Sequence, residues 1–234
     1  MRLSPLIPIA VILFTMGCGN AEPEQQNNSN LEEDVSPAMN KEFDLQGHRG
    51  ARGLFPENTI EGFLAAVDLM VNTLELDVVV SKDKQVVVSH EPWISSTICW
   101  GLDDKPVQQG KDLNIYMMDY SEVSNYNCGR IPHPDFPLQA KINTFKPLLS
   151  EVISEVEASS TELELEPVKF NIEIKSTEEG DNVFHPEPKE FCQIVYDQIV
   201  SGGIKNRTTI QSFDVRALQA MKQLDSSIPV ALLI

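Results

Sequence analysis

From residue 43 onward, short β-branched runs alternate with segments whose apolar residues recur at helical spacing. This alternation limits the fold more than any other feature of the chain. Runs over 44–50, 73–80, 85–90, 169–175, 208–213 and 230–234 read as strands. Segments over 60–70, 145–156, 190–200 and 215–224 read as helices. Strands separated by helices pair in parallel, because a long crossover is needed to bring the chain back to the same end of a sheet. Asn58 stands where a helix N-cap belongs, with Glu61 three residues on as in a capping box.

Eight such units close into a (β/α)8 barrel, typically in about 250 residues. Six strands are visible here, and the sixth, Val230-Ala231-Leu232-Leu233-Ile234, is followed by no helix. The expectation is an α/β chain of the TIM (β/α)8 type, C-terminally incomplete, with about six of eight strands present. The stretch 92–143 breaks the alternation and is rich in Pro, Gly, Asp and Asn, with both Trp93 and Trp100. A run this long without periodicity reads as a subdomain inserted after the third strand. A barrel lacking two units should expose unpaired edges. The 234-residue chain made alone is therefore expected to be insoluble or inactive.

The first 42 residues follow another pattern. Arg2 precedes an apolar run from Leu6 to Phe14, too short for a good membrane span and read as an export signal. Thr15-Met16-Gly17-Cys18 is similar to the bacterial lipobox, in which a Cys after a small residue is lipidated. Thr15 stands where Leu is usual and Met16 is bulky, so an ordinary signal peptide with an incidental Cys is the other reading. Segment 1–18 is read as a lipoprotein signal with Cys18 lipidated, and 19–42 as a flexible acidic tether too polar to fold. The domain over 43–234 would then sit in the bacterial cell envelope, anchored to the membrane by lipid. A net charge of −17 argues against nucleic acid as a partner, because such a field repels phosphate polymers. It does not exclude a small phosphate ester, since a bound cation reverses the local potential. Cys99 and Cys128 share the inserted stretch of a chain read as exported, which allows a disulfide that spacing alone does not prove. Cys192, in a helical pattern, reads as a buried small hydrophobe.

Leu74-Glu75-Leu76-Asp77-Val78 carries the first chemistry. Alternation puts Glu75 and Asp77 on one face and the aliphatic residues on the other. A parallel strand covered on both sides should be almost wholly apolar, and two adjacent inward carboxylates repel each other. Either a divalent cation relieves them, or the pair lies at the wet end of its strand. Lys169-Phe170-Asn171-Ile172-Glu173-Ile174-Lys175 repeats the device, with Asn171, Glu173 and Lys175 on one face. Glu173 can complete an all-oxygen site with Glu75 and Asp77, which suits one hard cation, Ca²⁺ or Mg²⁺. Lys175 is placed either to meet an anion on that metal or to pair with Glu173. His48 and His90 fall at the C-terminal ends of their strands, where barrels of this type build active sites. An imidazole there is suited to proton transfer. His133 and His185 read as structural.

Five segments together resemble the glycerophosphodiester phosphodiesterase family. They are Gly47-His48-Arg49-Gly50 with Pro56-Glu57-Asn58-Thr59, then Glu75-Leu76-Asp77, Val86-Val87-Val88-Ser89-His90, Ile172-Glu173-Ile174-Lys175 and Gln211-Ser212-Phe213. Glu91 follows His90 where the family usually has Asp, and Met70-Val71-Asn72-Thr73 replaces a Gly-containing turn. The resemblance implies a TIM barrel with one divalent cation on Glu75, Asp77 and Glu173. It also implies His48 and His90 as acid and base, and Arg49 and Lys175 at the phosphate. The implied reaction releases glycerol 3-phosphate and an alcohol from a small glycerophosphodiester, through a cyclic phosphate formed by the glycerol 2-hydroxyl. Sphingomyelinase D-like and lysophospholipase D-like proteins share this site and give an alternative substrate. A lipid-anchored binding protein on a degenerate barrel is a further alternative of another class.

Overall fold

The computed structural model describes residues 43–234 except 104, 109 and 110. The export signal, Cys18 and the tether over 19–42 lie outside the described residues. No helix among the described residues is long and apolar enough to cross a membrane.

Strands and helices alternate along the chain. β1 (Gln46–His48) leads to α1 (Ile60–Asp68), and β2 (Thr73–Val80) to β3 (Val86–Val88). After the insertion, with its short α2 (Tyr120–Val123), come α3 (Leu149–Glu162) and β4 (Lys169–Ile174). Then follow α4 (Pro188–Ser201), β5 (Thr208–Ser212), α5 (Val215–Leu224) and β6 (Val230–Leu232). The six strands form one open sheet in the order β1-β2-β4-β5-β6, with β3 joined to β2 off that path. Every pairing along the path is parallel, as in the wall of a TIM-type barrel.

Three sequence expectations are corrected here. β3 pairs with β2 antiparallel, Val78 opposite Val88. The connection is a tight turn in which Ser81 N–H donates to the Gln85 carbonyl and Lys84 has φ +63°. So short a link permits only the antiparallel hairpin, and the chain reaches its next parallel strand only after the insertion. The N-cap of α1 is Thr59, whose hydroxyl accepts from Gly62 N–H at 3.1 Å. Asn58 instead takes φ +55°, a conformation Asn tolerates better than most residues. The third helix starts at Leu149 rather than 145. Pro147 keeps Lys146 out of helical geometry, and the Leu148 N–H is capped by Glu151 at 2.8 Å.

Period-two alternation places the core. Leu74, Leu76 and Val78 of β2 join Phe170, Ile172 and Ile174 of β4 on the helix-covered face. Phe63 and Val67 of α1, Val152 and Val156 of α3, and Phe191, Val195 and Ile199 of α4 bury the same layer. Cys192 belongs to it too, its thiol against the Ala217 carbonyl and pushed up to about 12, chiefly by burial. The opposite face of β2 carries Glu75, Asp77 and Val79. Val79 and Val87 of β3 pass into a second apolar cluster made by the insertion, with Ile94, Ile115, Val123 and Tyr126. The insertion is thus a small subdomain with its own core, and within it Cys99 is bonded to Cys128.

Candidate active site

Strand register assembles the acids. β2 and β4 pair with Asp77 opposite Glu173 and Glu75 opposite Asn171, while β1 sets His48 opposite Glu75. Three carboxylates therefore meet, each offering an oxygen, with all three oxygens within 4.8 Å of one another and all three residues buried. Left to themselves they are electrostatically poor neighbours. Burial, then the charge of Asp77, pushes the Glu75 carboxyl up to about 7. Burial likewise raises Glu173, against the opposing hydrogen bond and charge of Lys175.

Outer partners hold each acid in place. Gln211 Nε2 donates to Glu75 Oε1 at 2.8 Å, and the Arg49 backbone N–H to Glu75 Oε2 at 2.9 Å. Asn58 Nδ2 donates to Asp77 Oδ2 at 2.8 Å, and its Oδ1 accepts from the Asp77 N–H at 3.3 Å. Lys175 Nζ lies 2.7 Å from Glu173 Oε1 and 3.7 Å from Asp77 Oδ1. Such partners orient and tune the ligands of metal sites. Hard oxygen donors, carboxyls that resist sharing a small space, and fixed orientation together fit a divalent cation.

The turn after β1 supplies the other side. Arg49 has φ +54° and Gly50 φ +79°. A Cβ on Gly50 would lie 2.7 Å from the carbonyl of Gly62 in α1, so only glycine fits this close approach. The turn presents His48 with Nε2 3.9 Å from Glu75 Oε2 and its side chain 63% exposed. Partial burial of the ring, with the charges of Arg49 and Arg52, holds His48 below the ordinary imidazole value. The Arg49 guanidinium turns inward to Glu57 at 3.0 Å and Asp77 at 3.4 Å. His90 lies just past β3, its Nδ1 2.8 Å from Glu91 Oε1. Burial alone would raise Glu91. The hydrogen bond and charge of His90, with Lys146 and Arg49, outweigh it and hold Glu91 at about 2. His48, Arg49, Glu75, His90 and Glu173 share the wall of one cavity of about 400 Å³.

All seven residues singled out from sequence, His48, Arg49, Glu75, Asp77, His90, Glu173 and Lys175, are thus brought to one place. His133 lies elsewhere, and His185 lines a neighbouring cavity rather than the one shared by His48 and His90. His133 packs against Phe136 within the insertion, its ring tilted by 47°. His185 is buried, its Nε2 accepting from the Thr177 N–H while Nδ1 meets the Pro186 carbonyl. Asn58, Lys146 and the supporting role of Glu91 escape a sequence reading. Lys146 is buried, lowered below the ordinary lysine value by that burial, and donates to Ser89 Oγ at 2.7 Å. The one signal for it is a lone charge inside Phe145-Lys146-Pro147-Leu148-Leu149.

Fold and site together define a TIM-barrel-like protein with a buried cluster of three carboxylates that could hold a metal ion, flanked by two histidines. Residues 48–234 match the model of the glycerophosphoryl diester phosphodiesterase family, and the chain belongs to that family. YhdW of Bacillus subtilis, named as a glycerophosphodiester phosphodiesterase, is 29% identical over 188 residues, covering 80% of this chain and 63% of the relative. Mouse lysophospholipase D GDPD1 is 31% identical over 137 residues, 56% of this chain and 38% of that protein. The crystal structure of a Silicibacter pomeroyi protein of the glycerophosphoryl diester phosphodiesterase kind superposes with a TM-score of 0.72 at 25% identity. That superposition covers 81% of this chain and 63% of the other. The chain therefore spans less than two thirds of the length of these relatives.

Proposed function

We propose that this protein hydrolyses glycerophosphodiesters to glycerol 3-phosphate and an alcohol. One observation carries the reading: three buried carboxylates from adjacent strands lie within 4.8 Å of one another, beside two histidines on a shared cavity. Family membership supports the same chemistry. Glu75, Asp77 and Glu173 would hold one Ca²⁺ or Mg²⁺, which when bound acidifies the glycerol 2-hydroxyl and neutralises phosphate charge. One imidazole accepts the hydroxyl proton while the other protonates the departing alcohol oxygen. The 2-oxygen bonds to phosphorus as the alcohol leaves, and water then opens the cyclic phosphate. Lys175 and Arg49 supply positive charge where the phosphoryl oxygens gain negative charge. His90, held by Glu91, offers Nε2 for the transfer.

His48→Ala and His90→Ala should each lower kcat about 10²–10⁴-fold with the circular dichroism unchanged. Near-normal turnover of glycerophosphoinositol by either variant removes that histidine from the mechanism. The name of the mouse relative favours a second reading, a lysophospholipase D-like activity on the same site. Comparing glycerophosphoinositol with lysophosphatidylinositol as substrate separates the two. We further propose, from Thr15-Met16-Gly17-Cys18 and the polar stretch after it, a lipid-anchored envelope protein. Fatty-acid labelling that survives Cys18→Ser would refute the anchor.

A further inference from the structure

A second cavity, of about 480 Å³, adjoins the acid cluster through Glu173 and Lys175. Its far wall is aromatic. Trp93 and Phe184 meet edge to face, with centroids 5.9 Å apart and planes at 64°. Lys111 Nζ lies 4.8 Å from the Trp93 centroid and 5.3 Å from that of Phe184. Two ring faces converging on one cation is the arrangement by which proteins hold quaternary ammonium groups. Here the chain's own ammonium takes that seat.

The walls are tied together by hydrogen bonds, and Lys111 meets them through its ammonium. Trp93 belongs to the insertion and Phe184 to the segment between β4 and α4. Trp93 bridges to Asn114, whose buried side chain donates to the Val183 carbonyl at 2.7 Å. Lys111 itself is exposed, on a long flexible stem. Glu173 and Glu179 line the same cavity with Lys175, so without Lys111 its acids outnumber its cations and favour a cationic occupant.

We propose that this cavity receives the alcohol leaving group and that Lys111 is a specificity-determining residue, which turns away quaternary ammonium headgroups and admits neutral polyols. The proposal rests on the phosphodiesterase reading above. It assigns the aromatic pair a latent choline seat, closed in the wild-type protein by an internal cation.

Two measurements on the full chain test it. The first compares kcat/KM for glycerophosphocholine and glycerophosphoinositol in wild type and Lys111→Ala. The choline-to-inositol ratio should rise about tenfold in the variant, the scale of one cation–π contact. A ratio unchanged within about twofold overturns the proposal. The second needs no catalysis: choline chloride is titrated while tryptophan fluorescence is read. Saturable quenching should appear in Lys111→Ala, be absent from wild type, and vanish when Trp93→Phe is added, leaving Trp100 as the remaining tryptophan. Equal quenching in all three, or none in Lys111→Ala, overturns the assignment. Full-length wild-type protein that is folded and cleaves neither ester sinks the phosphodiesterase reading, and the fluorescence titration still decides the pocket.

Discussion

Glu75 shares its cluster with Asp77 and Glu173, and its carboxyl is raised to about 7 from the ordinary 4.5, first by burial and then by the charge of Asp77. An acid raised in the folded state binds its proton more tightly there than in the unfolded chain. Its stabilising contribution is full below about 4.5 and is lost as pH climbs through 7. A cation takes over the proton's task, so metal and proton compete. The difference in Tm between protein in excess Mg²⁺ and protein in EDTA should accordingly be larger at pH 8 than at pH 5. Equal differences at the two pH values would show that the acids do not share an ion. Glu75, Asp77 and Glu173 were legible in the sequence because each interrupts an otherwise apolar strand at period two. Asn58 was misread as a cap. Its partner Asp77 is 19 residues away, and nothing local distinguishes an Asn that caps a helix from one that holds a carboxylate. Lys146 was invisible for the same reason: its meaning lies in a hydrogen bond to Ser89 and the charge of Glu91, which only the fold brings near.

At the scale of elements, helical and strand periodicities located the βα units well, and errors fell where connections rather than patterns decide. Three valines read equally as a parallel or an antiparallel strand, and the Ser81–Gln85 turn settles the direction of β3. The insertion has no single period because its core is assembled from isolated aliphatic residues and the Cys99–Cys128 bond. That bond closes a loop with a sequence separation of 29, for which chain entropy gives about 3–4 kcal/mol. Cys99→Ser with Cys128→Ser should therefore raise amide exchange through the insertion while the helices over the sheet keep their protection. Uniform loss of protection would show that the insertion has no separate stability.

On the scale of the whole molecule, one apolar layer between sheet and helices carries the fold. Phe191 of α4 is fully buried in it. Phe191→Ala should cost about 3–5 kcal/mol and lower the single cooperative transition in urea, unlike the local effect of losing the disulfide. The parallel order of β1, β2, β4, β5 and β6 also explains why the acids meet at all, since neighbouring parallel strands in register bring equivalent positions side by side. The central claim is that this juxtaposition holds a cation. Titration of Mg²⁺ or Ca²⁺ into metal-stripped protein by isothermal calorimetry tests it most directly. One ion per chain is predicted for wild type. In Glu75→Gln affinity should fall by more than the roughly 10–100-fold that follows loss of a residue supporting a ligand. No binding by wild type, or identical binding by the variant, would contradict it.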